Sequence, residues 1–420
     1  MTILQVLHQT VWRSLPAKSR RTVFSHLTRV VAPRPSPNAR PSVPIIVVGP
    51  LSTASGIGQS ARLTLRALAA AGIAHAAIDV SLELMQPIDT VFPACDRTLL
   101  MGPGVLLLNL SANVVPLVLA RLGRAVVKDK WIVGYWAWEL PVLPEPWREA
   151  VPFVNEIWTP SRFVGTVMLP HAAGRAVRVV PHPVAVQPLP AAWPRRRAGD
   201  APFSVLAVMN VASGFTRKNP LGVIAAFREA FGGDAGVRLL LKLSHCDAYG
   251  PARGLIGQAI AGAPNIQIED AVLERNGLDH LFAAADAVLS LHRSEGFGLV
   301  IAEAMLRGIP VVATDWSGNT DFLTSQNGIP VPFSMTAVTD PQHYYEPNGA
   351  QWAEPDLAAA ARALRALRDD SCLCYRLGGR ARRDAETLFG SEIFGRTVEY
   401  CLSGKSVVEQ IPCEHDAGRA

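Results

Sequence analysis

In the run Ala287-Val288-Leu289-Ser290-Leu291-His292-Arg293-Ser294-Glu295-Gly296-Phe297-Gly298-Leu299-Val300-Ile301-Ala302-Glu303-Ala304-Met305-Leu306-Arg307-Gly308-Ile309-Pro310, a short apolar segment leads through a glycine turn into a helix-forming segment. Ala287 to Leu291 reads as a buried strand, and Leu299 to Arg307 as a helix closed by Gly308-Ile309-Pro310. The backbone N–H groups of Gly296, Phe297, Gly298 and Leu299 then sit at a helix N-terminus, where free donors and the helix dipole favour an anion such as a diphosphate. Glu295 stands at the mouth of this turn and Glu303 about two turns into the helix. As acceptors, the first suits hydroxyls of a sugar ring and the second a ribose diol. The plain alternative is a helix-start acid and an ordinary surface glutamate.

Working outward, apolar runs alternate with helix-forming segments. Strands are expected at Ile45 to Pro50, Ala74 to Val80, Val105 to Leu110, Trp131 to Tyr135, Glu156 to Thr159 and Val177 to Val180, the βα rhythm of a parallel sheet. A second series is expected at Phe203 to Met209, Val237 to Leu243, Ile266 to Glu269, Ala287 to Leu291 and Val311 to Ala313. The Pro- and Arg-rich stretch before Phe203 is a natural boundary. The expected division is a basic tail over 1–44, a Rossmann-like domain over 45–190 and a linker over 191–202. A second Rossmann-like domain over 203–385, a crossing helix over 386–405 and a flexible tail over 406–420 follow. The fold class is α/β, two doubly wound parallel sheets facing a cleft.

The chain has 420 residues, of which 49% are hydrophobic and 18% charged, which excludes a disordered protein and leaves room for two or three domains. No apolar run approaches the roughly 18 residues of a spanning helix, and Met1 to Leu15 carries His8 and Arg13 in place of a signal-peptide core, so a cytoplasmic location is expected. Six scattered cysteines without a C-x-x-C pair are expected to be reduced thiols. Arg13, Lys18, Arg20, Arg21, Arg29, Arg34 and Arg40 all precede the first acid, Asp79. Met1 to Val31 therefore reads either as a basic amphipathic helix on an anionic membrane, peripheral to its inner face, or as a poorly ordered arm. No nucleic-acid motif accompanies this charge, and no nucleic acid is expected as a partner.

The segment from His292 to Leu299 followed by Glu303-Ala304-Met305 resembles the E-x7-E signature of retaining glycosyltransferase family 4, of GT-B architecture. Arg217-Lys218-Asn219-Pro220, Gly134-Tyr135-Trp136-Ala137-Trp138-Glu139-Leu140-Pro141, Glu156 to Phe163 and Gly318 to Phe322 agree in order, so the resemblance spans about Ile45 to Ser403. It implies transfer of a hexose, such as mannose or glucose, from a nucleoside diphosphate sugar with retention of configuration. The acceptor implied is a growing, lipid-linked bacterial surface glycan of the exopolysaccharide or lipopolysaccharide kind. The donor-side roles implied are sugar hydroxyls for Glu295, ribose for Glu303, and diphosphate for Arg217 and Lys218. No D-x-D pair occurs, and neither metal nor other cofactor is expected.

Relatives carry a histidine where Trp136-Ala137-Trp138-Glu139 stands, and Glu139 is the substitute candidate here. Trp136 and Trp138 are expected to face the cleft and stack on acceptor sugars, with Asn113 on the same side; the alternative is that both indoles are core. Gly56-Ile57-Gly58, with Asp79 about twenty residues on, would cradle the donor phosphates through the Gly56 and Gly58 N–H groups. The same residues also fit a dinucleotide fingerprint, which would make the chain an NAD-dependent oxidoreductase. A nucleotide-sugar epimerase of the same fold is the other rival. His182 is open between a structural and a functional role, and His292 with Arg293 is expected to support the Glu295 loop from beneath.

Overall fold

The structure is a computed structural model and describes residues 26–93, 100–186, 201–345 and 349–403. The expected linker, apart from its last two residues, the 406–420 tail and most of the basic tail lie outside these. The described part of the basic tail, 26–44, is not a free arm: Ala32 is packed into the first domain's core, Arg34 stacks over Phe153 and Arg29 pairs with Glu149.

Strands β1 (Ile45–Gly49), β2 (His75–Asp79), β3 (Gly104–Leu108), β4 (Lys130–Tyr135), β5 (Glu156–Thr159) and β6 (Ala176–Val179) form one parallel sheet in the order β2-β1-β3-β4-β5-β6. Period-2 alternation divides its apolar residues between two faces. Ile46, Val48, Leu106, Leu108 and Ile132 enter one core, while Ile45, Val47, Val105, Leu107 and Val133 enter the other. Both faces are covered at the centre of the sheet, which is why β1 and β3 read as unbroken apolar runs.

The second sheet comprises β7 (Phe203–Asn210), β8 (Val237–Ser244), β9 (Ile266–Asp270), β10 (Ala287–Ser290), β11 (Val311–Thr314) and β12 (Ile329–Val331). Its order β12-β11-β10-β7-β8-β9 is that of a dinucleotide-binding sheet, with reversal between β7 and β10. Ligand crevices form outside the carboxyl ends of strands at such a reversal, here the loops after Asn210 and Ser290. An antiparallel hairpin of β13 (Phe333–Ala337) and β14 (Gln351–Pro355), not anticipated from the sequence, follows. Its Val338, Tyr345, Ala350 and Trp352 pack into the core of the first domain.

The helix Ser391–Leu402 returns to the first domain, inserting Phe394, Val398 and Cys401 beside Ile45 and Leu68. A Cβ added at Gly395 would lie 2.6 Å from Ala71 Cβ, so the helix fits only without a side chain there. Gly395→Val should lower stability by about 1–3 kcal/mol through overpacking. Thermal unfolding checks this, and an unchanged midpoint would mean the crossing helix is not held at that contact.

Candidate active site

The loops leaving β7 and β10 meet at the topological reversal. After β7 the chain turns at Gly214, with φ of +106°, into the short helix Phe215–Lys218. Asn219, left-handed with φ of 57°, caps the helix Pro220–Phe231 by accepting from the Gly222 N–H at 3.0 Å, while its Nδ2 donates to the Leu291 carbonyl at 2.9 Å. That bond ties one loop to the other.

Arg217 makes the junction rigid. Its side chain is only 2% exposed. It donates to the carbonyls of Ser213 and Ser294, each at 2.7 Å, and lies 3.2 Å from a Glu295 oxygen. Lys218 pairs with the other Glu295 oxygen, Glu139 reaches Arg217 at 3.8 Å, and the Tyr345 ring lies 5.9 Å from the guanidinium. Four of the expected residues, Glu139, Arg217, Lys218 and Glu295, therefore converge.

Burial alone would raise the Glu295 pKa, but Lys218 and Arg217 outweigh it and hold the carboxyl at about 2. Burial of Arg217 opposes its charge, yet Tyr345, Glu295 and Glu139 keep it above its ordinary value. Lys218 moves the other way: burial lowers its pKa, and although Glu295 opposes this, Arg217 beside it adds to the shift. One carboxylate shared by two cations accounts for that asymmetry. Burial also raises the Glu139 pKa, against the pull of Arg217.

The Glu295 backbone is fixed as well: its N–H donates to Ser317 Oγ at 2.8 Å and its carbonyl accepts from the Gly318 N–H at 2.9 Å. A Cβ at Gly318 would lie 2.3 Å from the Gly296 carbonyl oxygen. His292 is buried beneath the loop, its Nδ1 3.0 Å from Ser290 Oγ and its Nε2 2.9 Å from Asn319 Oδ1. Arg293 grips Glu354 of β14 through two bonds of 2.7 and 2.9 Å.

The first domain closes over these loops. Ser161 Oγ donates to the Gly296 carbonyl at 2.7 Å, Ser294 Oγ to the Glu139 carbonyl, and the Arg162 N–H to Asp321 at 2.7 Å. Gly298, with φ of +101°, caps the helix Leu299–Leu306. Glu303, 4% exposed, is not an ordinary surface residue. Its Oε1 accepts from Arg275 at 2.8 Å, while Oε2 lies 3.5 Å from Arg307 and accepts no hydrogen bond. Arg307 in turn pairs with Asp279.

Several expected roles need correction. Trp136 is fully buried with its indole over Gly134, where a Cβ would lie 2.4 Å from the ring, so it is core and offers no face to a sugar. Trp138 packs between Trp147 and Tyr345 at 4.8 and 5.6 Å and donates to the Val142 carbonyl, so it too is core. Phe297 is a core ring among His182, Phe322 and Phe389, and only its backbone belongs to the turn. The Gly58 N–H is taken by Ser55 Oγ at 3.1 Å, and a Cβ there would strike the Pro50 and Thr53 carbonyls, so Gly58 serves packing. Gly56 begins the helix in open space. Arg217 is enclosed, its guanidinium bonded to the Ser213 and Ser294 carbonyls and beside Glu295. Asn113 is exposed after β3 and meets none of the four converging groups.

His182 is a buried neutral ring bonded to Ser60 and Tyr135, its pKa lowered to about 3 by burial. Asp79 accepts from the Leu51 and Ser81 N–H groups and from the Ser52 and Ser81 hydroxyls, leaving its carboxylate committed to the protein instead of a cofactor ribose. Sequence reading missed Tyr345, Arg275, Asp279 and Arg307. Glu274-Arg275 directly after the β9 loop was an available signal for the second of these. Among the described residues no group of three or more His, Cys, Asp or Glu is arranged to hold a metal, and no helix is long and apolar enough to cross a membrane.

Two doubly wound domains with their switch-point loops facing one another define a GT-B protein. Residues 245–344, which carry both glutamates, match the family model described as glycosyl transferases group 1. The fold is shared with HepE from Anabaena, solved with UDP and glucose (TM-score 0.60, 16% identity, 86% of this chain and 99% of that one). It is shared also with sucrose-phosphate synthase from Thermosynechococcus elongatus (TM-score 0.62, 16% identity, 86% and 99%). S. aureus TarM gives a TM-score of 0.54 at 14% identity over 72% of this chain, which spans 55% of the TarM chain. No curated protein matches the sequence. The chain therefore has the GT-B fold, and its residues 245–344 resemble group 1 glycosyl transferases.

The depressed Glu295 pKa has a definite consequence for stability. A carboxyl held near 2 when folded, against about 4.3 when unfolded, contributes stability above the unfolded value that is lost as pH falls toward 2. Glu295→Gln should flatten the pH dependence of unfolding free energy across this window. Parallel curves for the two proteins would mean that Glu295 is not held ionised by its neighbours.

Proposed function

We propose that this chain is a retaining glycosyltransferase of family 4, moving a hexose, glucose or mannose, from a nucleoside diphosphate sugar to a hydroxyl of a growing, lipid-linked bacterial surface glycan. The donor base assigned is uracil, supported by the UDP bound in HepE. The observation that carries the reading is the ionised Glu295 held beside Lys218 at the mouth of the glycine turn, between two Rossmann-like domains.

In this reading the Gly296 to Leu299 turn and Lys218 receive the diphosphate, because charge develops on the departing nucleotide and a cation with oriented N–H donors stabilises it. Lys218 must exchange Glu295 for phosphate as the donor enters. Glu295, so released, accepts from sugar hydroxyls, and Glu303 offers Oε2 to the ribose. Arg217 acts through position, holding Glu295 and the turn in register. The acceptor hydroxyl attacks the anomeric carbon on the leaving-group side, and the departing phosphate oxygen takes its proton. Glu139, with its raised pKa, lies on the acceptor side of the same cluster. The cationic stretch ahead of Asp79 is the support for an anionic membrane surface as the place of work.

The oxidoreductase reading loses its support, since Asp79 is committed within its own domain. An epimerase differs in needing no second sugar. Purified protein supplied with UDP-glucose, UDP-N-acetylglucosamine or GDP-mannose and a lipid-linked glycan extract should release nucleoside diphosphate only when acceptor is present. Product anomers read by NMR report retention or inversion. Lys218→Ala and Glu295→Gln should each lower kcat/KM by about 100-fold or more, while Glu303→Ala should weaken UDP binding by roughly tenfold. Turnover without acceptor, or full activity in the Glu295 variant, would overturn this assignment.

A further inference from the structure

A second charged concavity lies on the C-terminal domain, and none of Glu139, Arg217, Lys218 or Glu295 lines it. It is a groove of about 600 Å³ between the helix Ser371–Phe389 and the free edge of the second sheet at β12. Arg376, Arg380 and Arg383, spaced four and three residues apart, share one helix face and all line it. Leu377, Ile329 and Pro330 form the apolar part of its wall, and Ser325 and Gln326 add polar groups at the turn before β12.

The charge balance of this groove is one-sided. Arg380 pairs with Asp384 at 2.7 Å, and Asp384 also accepts from Asn327 Nδ2 at 2.9 Å. Among the described residues neither Arg376 nor Arg383 forms an ion pair, and both are exposed. Three guanidiniums less one neutralised by Asp384 leave two positive charges. Like charges gathered on a concave, partly apolar surface repel one another, and an anion relieves that cost. Guanidiniums offer planar forks of N–H donors that match the oxygens of phosphate, and a phosphate monoester carries close to two negative charges at neutral pH. A volume of this size, apolar walls and a few convergent polar groups are the usual properties of a small-ligand site.

We infer that the groove between the Ser371–Phe389 helix and β12 is a second binding site for a phosphate-bearing ligand, held by Arg376 and Arg383 with Arg380 at its centre. The chemistry is shared by a free phosphorylated metabolite and a phospholipid headgroup. The inference stands apart from the transferase reading, because it uses no residue of the cleft.

The test measures inorganic phosphate and pyrophosphate binding to the full chain by titration calorimetry, with excess UDP present to occupy the cleft. In parallel, the chain is sedimented with phosphatidylglycerol vesicles and with phosphatidylcholine vesicles. The Arg376→Ala/Arg383→Ala double variant should weaken binding by roughly tenfold or more, and the Arg376→Lys/Arg383→Lys variant by less, because charge survives without the fork. Circular dichroism checks folding, and the lysine pair keeps the test decisive should the alanine pair misfold. Arginine-dependent binding of free phosphate identifies a soluble ligand; arginine-dependent binding of phosphatidylglycerol vesicles alone identifies a headgroup. No binding by the wild-type chain in either arm, or binding equal in wild type and variants, would overturn the inference.

Discussion

The arrangement rests on one buried cation. Arg217 joins the carbonyls of Ser213 and Ser294 to the Glu295 carboxylate, fastening the loop after β7 to the loop after β10. A guanidinium at 2% exposure has given up its hydration, and only this set of acceptors compensates it. Removing the side chain would leave Glu295 less compensated and two carbonyls without their donor. The position of the glycine turn, and through it the start of the Leu299–Leu306 helix, follows from a group bonded within the protein on every side.

The second constraint is the seam between domains. Trp136, Trp138 and Trp147 come from the first domain, while Tyr345 and Trp352 come from the hairpin of the second, and all five share one core. The hairpin therefore acts as a clamp: its loop brings Tyr345 to Arg217, and Gln342 donates to the Val211 carbonyl at 3.1 Å on the β7 side. Apolar burial across the seam is directionless, whereas the Ser161, Ser294 and Arg162 hydrogen bonds fix register. Together they set how closely Glu139 approaches the charged cluster.

Much of this was legible in the sequence. Parallel strands covered on both faces are rich in apolar residues, so every strand of the two parallel sheets except the three-residue β12 could be placed from the apolar pattern, whereas the β13–β14 hairpin could not. The Glu295 and Glu303 spacing and the Arg217-Lys218 pair were visible because loops after strands in a doubly wound sheet face the crevice. The aromatic residues were ambiguous for a physical reason. An indole in a loop after a strand has equal apolar surface for a sugar and for a core, and the deciding neighbours, Trp147, Tyr345 and Gly134, lie outside its local pattern. Tyr345 arrives through a hairpin about fifty residues beyond Glu295, and no local periodicity announces that contact.

The two glutamates of the spacing motif are built differently. Glu295 shares its cations with a largely buried cluster in which Lys218 keeps some exposure. Glu303 sits deeper, in a nearly neutral quartet with Arg275, Arg307 and Asp279, where two cations face two acids. Deep compensation of this kind fixes a side chain's direction, and one oxygen is left without a hydrogen bond. Glu295 is thereby kept nearer solvent, while Glu303 is locked by arginines from the helix Arg275–Ala284 and from its own. The same seven-residue interval therefore separates a carboxylate paired near solvent from one locked in a buried quartet.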